Sequence, residues 1–405
     1  MAIRRSPEDF RVDERLAPGF HDALAGSPDA AHPHALVRLT KTSLTTPDAC
    51  AHLARVLRVP VGAVVAAGLK DRHAVTAQHC TVRAPGPEAA RALERSPEGH
   101  GWRALLLGWS AQPIDASAIE ANEFEIVVRG LHAAEVQAMH ARAAALAADG
   151  GGGAPRTLLL ANYFGDQRFG GARHGRGFAA QSLVAGDFLQ AIRLLVGTPA
   201  RKDHGTQRAF TRACATHWGE WKTLLAALPR RPERRAFEIL ARGGDPAEAF
   251  VALPNFLQTM CIEAFQSLLW NDALRRLHAA LGEPLLRTPD DFGELLFAPA
   301  TRVPAAWHDA AMPMPSPAMA PAPPWDAAMR AALEAHGVEA ASLRVPGLHR
   351  PFFGHAERPM LVRAMDVELR DEGADPTQRS RRVVRARFAL PRGAYATVVL
   401  RALGQ

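Results

Sequence analysis

The chain has 405 residues, 48% of them hydrophobic and 22% charged, which is typical of a folded protein with a large core and excludes a disordered chain. At this length we expect two domains, or one domain that carries a large insertion. Lysines and arginines outnumber acidic residues by 48 to 41. The resulting net charge of +7 mildly favours a polyanionic partner, but it also fits an ordinary solvated surface.

The chain lacks the residue spacings typical of metal and nucleotide sites. There is no CxxC pair, no HExxH and no GxxxxGK[ST], so we expect no metal and no cofactor. Widely spaced cysteines fit a reducing compartment, the first residues lack a signal-peptide core, and no apolar run approaches the ~18 residues of a membrane span. These observations predict a cytoplasmic protein with no membrane contact.

The predicted elements of the first 155 residues are strands at 34–40 and 123–129 and a helix over 131–148. Residues 84–101 are rich in proline and glycine and predict a loop around a short helix. Residues 149–155 read DGGGGAP and predict a hinge or a domain boundary, because neither glycine runs nor proline continue a helix.

In the second half, residues 255–281 predict a long helix with Asn255 as a candidate N-cap. Residues 312–324 are expected to be extended, polyproline-like and exposed, and 371–380 to form a polar loop. Residues 383–390 alternate as a strand, and 394–401 are expected to pair with it through a turn at 391–393. Strands near both ends and helices between them favour an α+β domain built from both termini, with a helical insertion.

Residues 68–78, GLKDRHAVTAQ, follow an apolar run and crowd charges around one carboxylate. Gly68 would allow a tight turn that presents Lys70, Asp71 and Arg72. Cations beside Asp71 would hold its carboxylate ionised, and an ionised, positioned carboxylate can act as a nucleophile or a base. A charged surface turn explains the same composition.

Residues 162–171, NYFGDQRFGG, place three aromatic residues beside an arginine, in a chain with 6% aromatic residues. Aromatic rings beside arginine form platforms on which unpaired bases stack. A packed turn after the glycine-rich segment fits the same residues.

Taken in chain order, these stretches resemble the TruD family of pseudouridine synthases. The motifs that carry the resemblance are SPEDFRVDE (6–14), AGLKDRHAVTAQ (67–78), ANEFEIVVRG (121–130), NYFGDQRFGG (162–171), FQSLLWNDAL (265–274) and LPRGAYATVVLRAL (390–403). The resemblance implies an α+β fold: a catalytic domain with a pseudouridine-synthase-type mixed or antiparallel sheet, and a mostly helical α+β insertion domain. The catalytic domain would comprise residues 1–160 and 362–405, and the insertion 161–361.

The resemblance implies isomerisation of a uridine in tRNA to pseudouridine, at tRNA position 13, with neither metal nor cofactor. The sequence leaves the oligomeric state open, and we expect a monomer. Asp71 is the implied catalytic carboxylate, as nucleophile or as base. The implied substrate-binding residues are Phe10, Asn122 and Tyr395 around the target nucleotide and Phe124 against the base. The implied supporting residues are Gly68, Lys70 and Arg72, of which the two cations would keep Asp71 charged and approach the RNA backbone.

One segment departs from the family pattern. Residues 107–122 read LGWSAQPIDASAIEAN, where family members are usually basic, and Glu120 and Ala121 precede Asn122 in place of a lysine and a glycine. This departure motivates an alternative, a tRNA-binding or RNA-folding protein with weak or no catalysis. The carboxylate of Asp71 argues against it, because binding alone does not need that group.

Overall fold

The computed structural model describes residues 5–148, 157–172, 174–201 and 203–405, so the predicted hinge at 149–155 lies outside the described residues. The strands are β1 (Phe10–Leu16), β2 (His34–Thr42), β3 (Val64–Ala66), β4 (Val75–Val82), β5 (Glu98–Gly99), β6 (Trp102–Ser110), β7 (Ile119–Leu131), β8 (Leu158–Ala161), β9 (Leu286–Asp290), β10 (Gly293–Phe297), β11 (Ala311–Pro313), β12 (Glu357–Pro359), β13 (Leu361–Asp375) and β14 (Gln378–Pro391).

The helices are α1 (Thr46–Leu57), α2 (Pro87–Glu94), α3 (Ala133–Ala145), α4 (Ala179–Val184), α5 (Phe188–Ile192), α6 (Gly205–His217), α7 (Trp221–Ala227), α8 (Arg234–Ala241), α9 (Pro246–Val251), α10 (Asn255–Ala280), α11 (Asp326–Ala335) and α12 (Ala396–Ala402). These elements confirm the predicted α+β fold class.

The described residues form two compact units. The first comprises Met1–Leu160, Pro299–Thr301 and Val362–Gln405, and the second comprises Ala161–Ala298 and Arg302–Leu361. The first unit is therefore built from both ends of the chain, and most of the second is one continuous stretch between them.

A ten-stranded mixed sheet organises the first unit, in the order β5-β6-β2-β4-β1-β7-β14-β13-β8, with β3 also paired to β4. Strand β1 runs parallel to β4 on one side and antiparallel to β7 on the other. This arrangement places β1, from the start of the chain, beside β7, and β7 beside β14, from the end of the chain. The centre of the sheet thus needs strands that are distant in sequence.

Helices α1 and α2 cover one face of the sheet where β2 and β4 run. Their apolar side chains pack with alternate residues of β2, namely Ala35, Val37 and Leu39, in one buried cluster. Thr45 caps α1, because its hydroxyl accepts a hydrogen bond from the Asp48 amide at 3.2 Å. The cap fixes where α1 begins, and Thr46, in its first turn, is consequently buried against β4.

The second unit is built around α10, a 26-residue helix whose side chains are buried along most of its length. Trp270 at its centre is fully buried, and its indole N–H donates to the carbonyl of Met312 at 3.1 Å. Pro254, and not Asn255, occupies the N-cap position, so that detail of the prediction is wrong. Asn255 is the first helical residue.

Three other local predictions are wrong. Residues 394–401 do not continue the sheet, because the chain leaves β14 at Pro391 and forms α12. Most of residues 371–380 belong to β13 and β14 and not to a loop. The start of the segment 312–324 is buried and not exposed, since Met312 lies in β11 and pairs with Arg358 of β12.

The motif at 162–171 forms a packed turn, which is the second of the two interpretations of these residues, and not a stacking platform. Tyr163, Phe164 and Phe169 are all buried. The Tyr163 hydroxyl donates to the carbonyl of Leu296 at 2.9 Å, and Phe164 exchanges backbone hydrogen bonds with the side chain of Asn271. These rings pack in the core of the second unit and leave no exposed face on which a base could stack.

Candidate active site

Asp71 lies in the loop between the antiparallel strands β3 and β4. Its residue is half-buried, whereas the following Arg72 and His73 are exposed. Arg72 has no ion pair or hydrogen bond from its side chain within the described part of the chain. The loop therefore presents a carboxylate and a cation side by side at the end of two strands.

Two side-chain hydrogen bonds hold the backbone of this loop, and a third joins the two side chains that make them. The Gln78 amide donates to the Gly68 carbonyl at 3.2 Å, and the Lys70 amide donates to the Thr46 hydroxyl at 3.0 Å. That hydroxyl in turn donates to the Gln78 side-chain carbonyl at 2.8 Å. Because Thr46 and Gln78 are buried, water does not compete for these bonds, and the loop is held firmly against α1 and β4.

Gly68 is not needed for the tight turn that it was expected to allow. A Cβ atom at this position would meet no heavy atom within 4 Å, and its φ lies outside the left-handed region. What the loop uses is the Gly68 carbonyl, which any residue would provide. The tight turn that Gly68 was expected to allow therefore does not require a glycine.

Lys41 of β2 holds the next part of the loop. Its side chain is fully buried, and its ammonium donates to the Asp71 carbonyl at 2.7 Å and approaches the Lys70 carbonyl at 3.5 Å. Burial lowers the pKa of Lys41 to about 8, although the negative charge of Asp71 acts in the opposite direction. A buried cation thus contacts the backbone of the candidate catalytic residue.

Lys70 pairs with a buried acid. Its side chain is 12% exposed, and its ammonium lies 2.5 Å from a carboxylate oxygen of Glu14, whose side chain is 1% exposed. Burial acts to raise the pKa of Glu14, but hydrogen bonds from His79 and the charge of Lys70 outweigh it and lower the pKa. The expectation that Lys70 approaches an RNA backbone does not fit this ion pair, because its ammonium faces Glu14.

The strand register places Asn122 and Phe124 on the same face as Glu14. Directly opposite residues of an antiparallel pair project to one face, and the register pairs Glu14 with Asn122 and Val12 with Phe124. The Asn122 side-chain carbonyl is buried and has no hydrogen-bond partner among the described residues. An orphaned buried acceptor of this kind needs an explanation, and a bound donor would provide one.

The ring of Phe124 lies between two other phenylalanines. It stacks on Phe388 of β14 at 5.5 Å and meets the edge of Phe10 at 6.1 Å. Phe124 is half-buried and keeps an accessible part, whereas Phe10 is 1% exposed. Direct contact of Phe10 with a nucleotide therefore does not fit, and its position is that of a support for Phe124.

Tyr395 lies in the turn between β14 and α12, where it occupies the N-cap position of that helix. The register pairs Leu390 of β14 with Asn122, so the turn that leads to Tyr395 begins beside Asn122. Tyr395 is half-buried. The fold thus brings the turn that carries Tyr395 to the end of β14 that lies beside Asn122.

The opposite face of these strands carries a ladder of acids and arginines. Five carboxylates and two arginines line a shallow cavity there: Asp13, Glu123, Glu125, Asp366 and Glu368 with Arg11 and Arg387. The Glu120 of the unusual segment belongs to the same ladder, since it pairs with Arg15 at 2.9 Å. Arginines engage these acids, as Arg38 does with Asp13 and Arg387 with Glu125, so the face with Glu14 and the unpartnered Asn122 carbonyl is the candidate site.

Within the described ranges, no group of three or more histidine, cysteine or acidic side chains is arranged to hold a metal ion. Over the same ranges, none of the helices has the length and apolar character required to cross a membrane.

Comparison with known proteins decides the family. The family model described as tRNA pseudouridine synthase D (TruD) matches residues 1–289, well over half of the chain. The chain belongs to the TruD family. The match includes the Asp71 loop, β1, β7 and most of the second unit.

Curated TruD relatives match over different lengths. A tRNA pseudouridine synthase D from Anaeromyxobacter dehalogenans is 32% identical over 417 aligned residues, which cover 99% of this chain and 92% of that protein. One from Aquifex aeolicus is 29% identical over 282 residues, 66% of this chain, and a probable one from Halobacterium salinarum is 34% identical over 289 residues, 70% of this chain. These two matches span only 64% and 63% of the relatives' own lengths.

A crystal structure from Methanosarcina mazei described as a TruD superposes with a TM-score of 0.71, at 21% identity, over 99% of this chain and 92% of the other. At this identity the likeness supports the TruD fold.

Four residues that hold the Asp71 loop were not singled out from the sequence: Glu14, Lys41, Thr46 and Gln78. For Lys41 a signal was present, because it continues the alternation of Ala35, Val37 and Leu39 on the face of β2 that is otherwise apolar. A lysine at a position predicted to be buried is rare unless it is paired. Glu14, Thr46 and Gln78 carry no comparable local signal.

Proposed function

We propose that this chain isomerises a uridine of tRNA to pseudouridine and that Asp71 is the catalytic carboxylate. The observation that carries the proposal is the loop of Asp71, whose backbone is held by Lys41, Thr46 and Gln78. Catalysis needs reacting groups held to within fractions of an ångström, and a charged surface turn has no use for such support.

The reaction fits a site built from side chains alone. The bond between N1 of uracil and C1′ of ribose breaks, the base turns, and a bond forms between C5 and C1′. The proton on C5 is lost and N1 gains one, so that substrate and product have the same composition and no oxidant or second substrate is consumed. An ionised carboxylate can attack the sugar or remove a sugar proton, and both routes need it beside the ribose of a base lifted out of its stack.

Phe124 and Asn122 suit the detached base. The accessible part of the Phe124 ring offers a surface for uracil, and Phe10 and Phe388 fix its orientation. The Asn122 carbonyl lacks a donor among the described residues, and the N–H groups of uracil are donors. Tyr395 would close the site from the turn after β14, and Arg72 would meet a phosphate next to the target nucleotide.

Replacement of Asp71 by asparagine tests the assignment. We expect Asp71→Asn to lower the single-turnover rate of pseudouridine formation on tRNA about a thousandfold or more, with little change in tRNA affinity. Release of tritium from uridine labelled at C5 measures the rate. Asp22→Asn, at an exposed aspartate in the same unit, is the matched control and should retain the parent rate. An Asp71→Asn variant that turns over at the parent rate contradicts the assignment.

The alternative of an RNA-binding protein with weak or no catalysis makes a different prediction for the unmodified chain. It would bind tRNA in a strongly salt-dependent manner and form no pseudouridine on any RNA. The specific nucleotide is tested by mapping pseudouridine in tRNA from cells with and without the gene. We expect position 13 to lose its modification, as the family resemblance implies.

A further inference from the structure

The net charge of the chain is concentrated in one segment. Residues 201–242 contain ten lysines and arginines and four acidic residues, so that this tenth of the chain carries almost the whole excess of +7. The segment forms α6, α7 and α8 of the second unit and the turns between them. We name it the basic helical cluster.

The cluster is a compact arrangement with an aromatic interior. Helix α6 packs against α7, and α7 against α8. Phe210 of α6 meets Phe237 of α8 at 5.8 Å, and Trp218, between α6 and α7, meets Phe237 at 6.1 Å. These rings hold the three helices together. The charged residues of the segment therefore belong to one packed group of helices.

Two of the four acids are neutralised within the cluster. Glu233 is buried and accepts a hydrogen bond from Arg231 at 2.7 Å, and Glu238 lies 3.6 Å from Arg234. The charge and hydrogen bonds of Arg231 lower the pKa of Glu233 even though burial acts to raise it. These acids thus compensate two arginines that are themselves half-buried, and they leave the outer cations unopposed.

Five cations of the cluster are exposed and make no side-chain ion pair or hydrogen bond within the described ranges: Arg201, Arg212, Lys222, Arg230 and Arg235. Elsewhere on the described surface some exposed arginines are likewise unpaired, among them Arg55, Arg95 and Arg344, whereas others are paired. On the open face of the sheet, Arg385 and Arg387 both pair with Glu125. An uncompensated set of this kind is the electrostatic footprint of a polyanion site.

We propose that the surface formed by Arg201, Arg212, Lys222, Arg230 and Arg235 binds the phosphate backbone of the RNA substrate. The proposal rests on the proposed function for the identity of the RNA as tRNA. Four of the five residues are arginines, whose planar guanidinium groups bind phosphate oxygens in pairs. The site would bind without reading bases, and it would supply affinity that the non-basic segment 107–122 does not.

An anionic membrane is the other polyanion to consider, and the surface does not suit one. Interfacial helices insert large apolar side chains beside their cations. The exposed large apolar residues of the described chain are Val56, Val61, Leu69, Leu105, Val251, Phe256 and Phe352, and all lie outside 201–242. The cluster offers charge without an apolar anchor, which favours RNA.

The test neutralises three of these cations together in the full-length protein. We expect the variant with Arg212→Gln, Arg230→Gln and Arg235→Gln to bind tRNA at least about 10-fold more weakly near physiological salt. A plot of log affinity against log salt concentration should become less steep by about 2, as three phosphate contacts are lost. The rate at saturating tRNA should equal the parent's, because no changed residue belongs to the candidate active site.

The matched control neutralises three exposed arginines outside the cluster, with Arg55→Gln, Arg95→Gln and Arg344→Gln. Equal loss of affinity in both variants would overturn the proposal, since total charge would then explain the effect. Unchanged tRNA affinity and an unchanged salt slope in the cluster variant would also overturn it. So would a cluster variant that binds phosphatidylserine vesicles more weakly than the parent but binds tRNA equally well. Circular dichroism checks folding, and the double variant with Arg230→Gln and Arg235→Gln replaces the triple one if that does not fold.

The test of this surface can fail or succeed independently of the test of the proposed function. Affinity and its salt dependence are measured without turnover, whereas the proposed function is judged by pseudouridine formation in the unmodified chain. A chain that forms no pseudouridine but loses tRNA affinity in the cluster variant supports the surface and contradicts the proposed reaction.

Discussion

Lys41 combines a structural task with an electrostatic one. It is a buried ammonium that binds the carbonyls of the Asp71 loop, and its burial is unfavourable while it is charged. Proteins rarely keep such a group for stability alone, because an apolar residue of similar size often does as well. Three other charged or thiol groups, Asp71, Lys70 and Cys50, act on its pKa. Its hydrogen bond to the Asp71 carbonyl is the basis for expecting that it positions the carboxylate.

At the residue scale, we therefore expect Lys41→Met to separate activity from stability. The rate at saturating tRNA should fall about 10-fold or more, because the loop loses the donor to the Asp71 carbonyl. The melting temperature should change by only a few degrees, since the lost hydrogen bonds are offset by removal of a buried charge. Lys41→Arg is the conservative comparison. A large loss of stability with an unchanged rate would contradict this expectation.

The effect of Lys41 on stability and on the rate depends on pH in a definite direction. The folded pKa of Lys41, about 8, lies below its ordinary value of 10.5, so the unfolded state binds the proton more tightly. The cost to stability is full below pH 8 and disappears as the pH rises toward 10.5. In the folded protein the charge of Lys41 is lost as the pH passes about 8, so the rate should decline above that pH in the parent. This decline should be absent in Lys41→Arg, whose guanidinium stays charged.

At the scale of elements, the β3–β4 loop depends on the helix and the strand that flank it. Thr46 of α1 accepts from the Lys70 amide and donates to Gln78 of β4. We expect Thr46→Val to cost about 1–3 kcal/mol, because it leaves buried partners unsatisfied. The Lys70 amide should lose its protection in hydrogen exchange. Thr223→Val, at an exposed position of α7, is the control, and equal exchange in both variants would refute this account.

The C-terminal element shows how tertiary packing overrides local preference. Residues 394–401 are rich in β-branched and aromatic residues, which favour a strand. They form α12, and Val398, Val399 and Leu400 are all buried there. Three consecutive apolar residues can all be buried on a helix that is covered on several sides. The burial available to this segment, and not its intrinsic strand propensity, therefore decided its structure.

At the scale of the whole molecule, the first unit is discontinuous in sequence. The chain leaves it after β8 and re-enters it at β13. The Asn162 amide donates to the Met360 carbonyl at 2.9 Å, and β8 and β13 are neighbours in the sheet. The two points at which the chain leaves and re-enters the first unit are therefore close together. A short linker could join them.

We predict that residues 161–361 fold alone, because the second unit has its own core around α10. Calorimetry and circular dichroism of this fragment should show helical structure and one cooperative unfolding transition. Residues 1–160 alone should not unfold cooperatively, since they lack β14, which pairs with β7. Joining 1–160 to 362–405 through a short glycine-serine linker should restore cooperativity. A cooperatively folded 1–160 fragment would contradict this prediction.

Local periodicity and the order of motifs along the chain were enough to predict the fold class, the family and the loop of Asp71. The tertiary structure alone decided which groups support that loop. Glu14 reaches Lys70, and Phe10 is buried against Phe124, only because β1 lies between β4 and β7. It also decided which arginines of the basic helical cluster remain unpaired. Pairing between residues far apart in sequence leaves little trace in local pattern, which is why those assignments needed the fold.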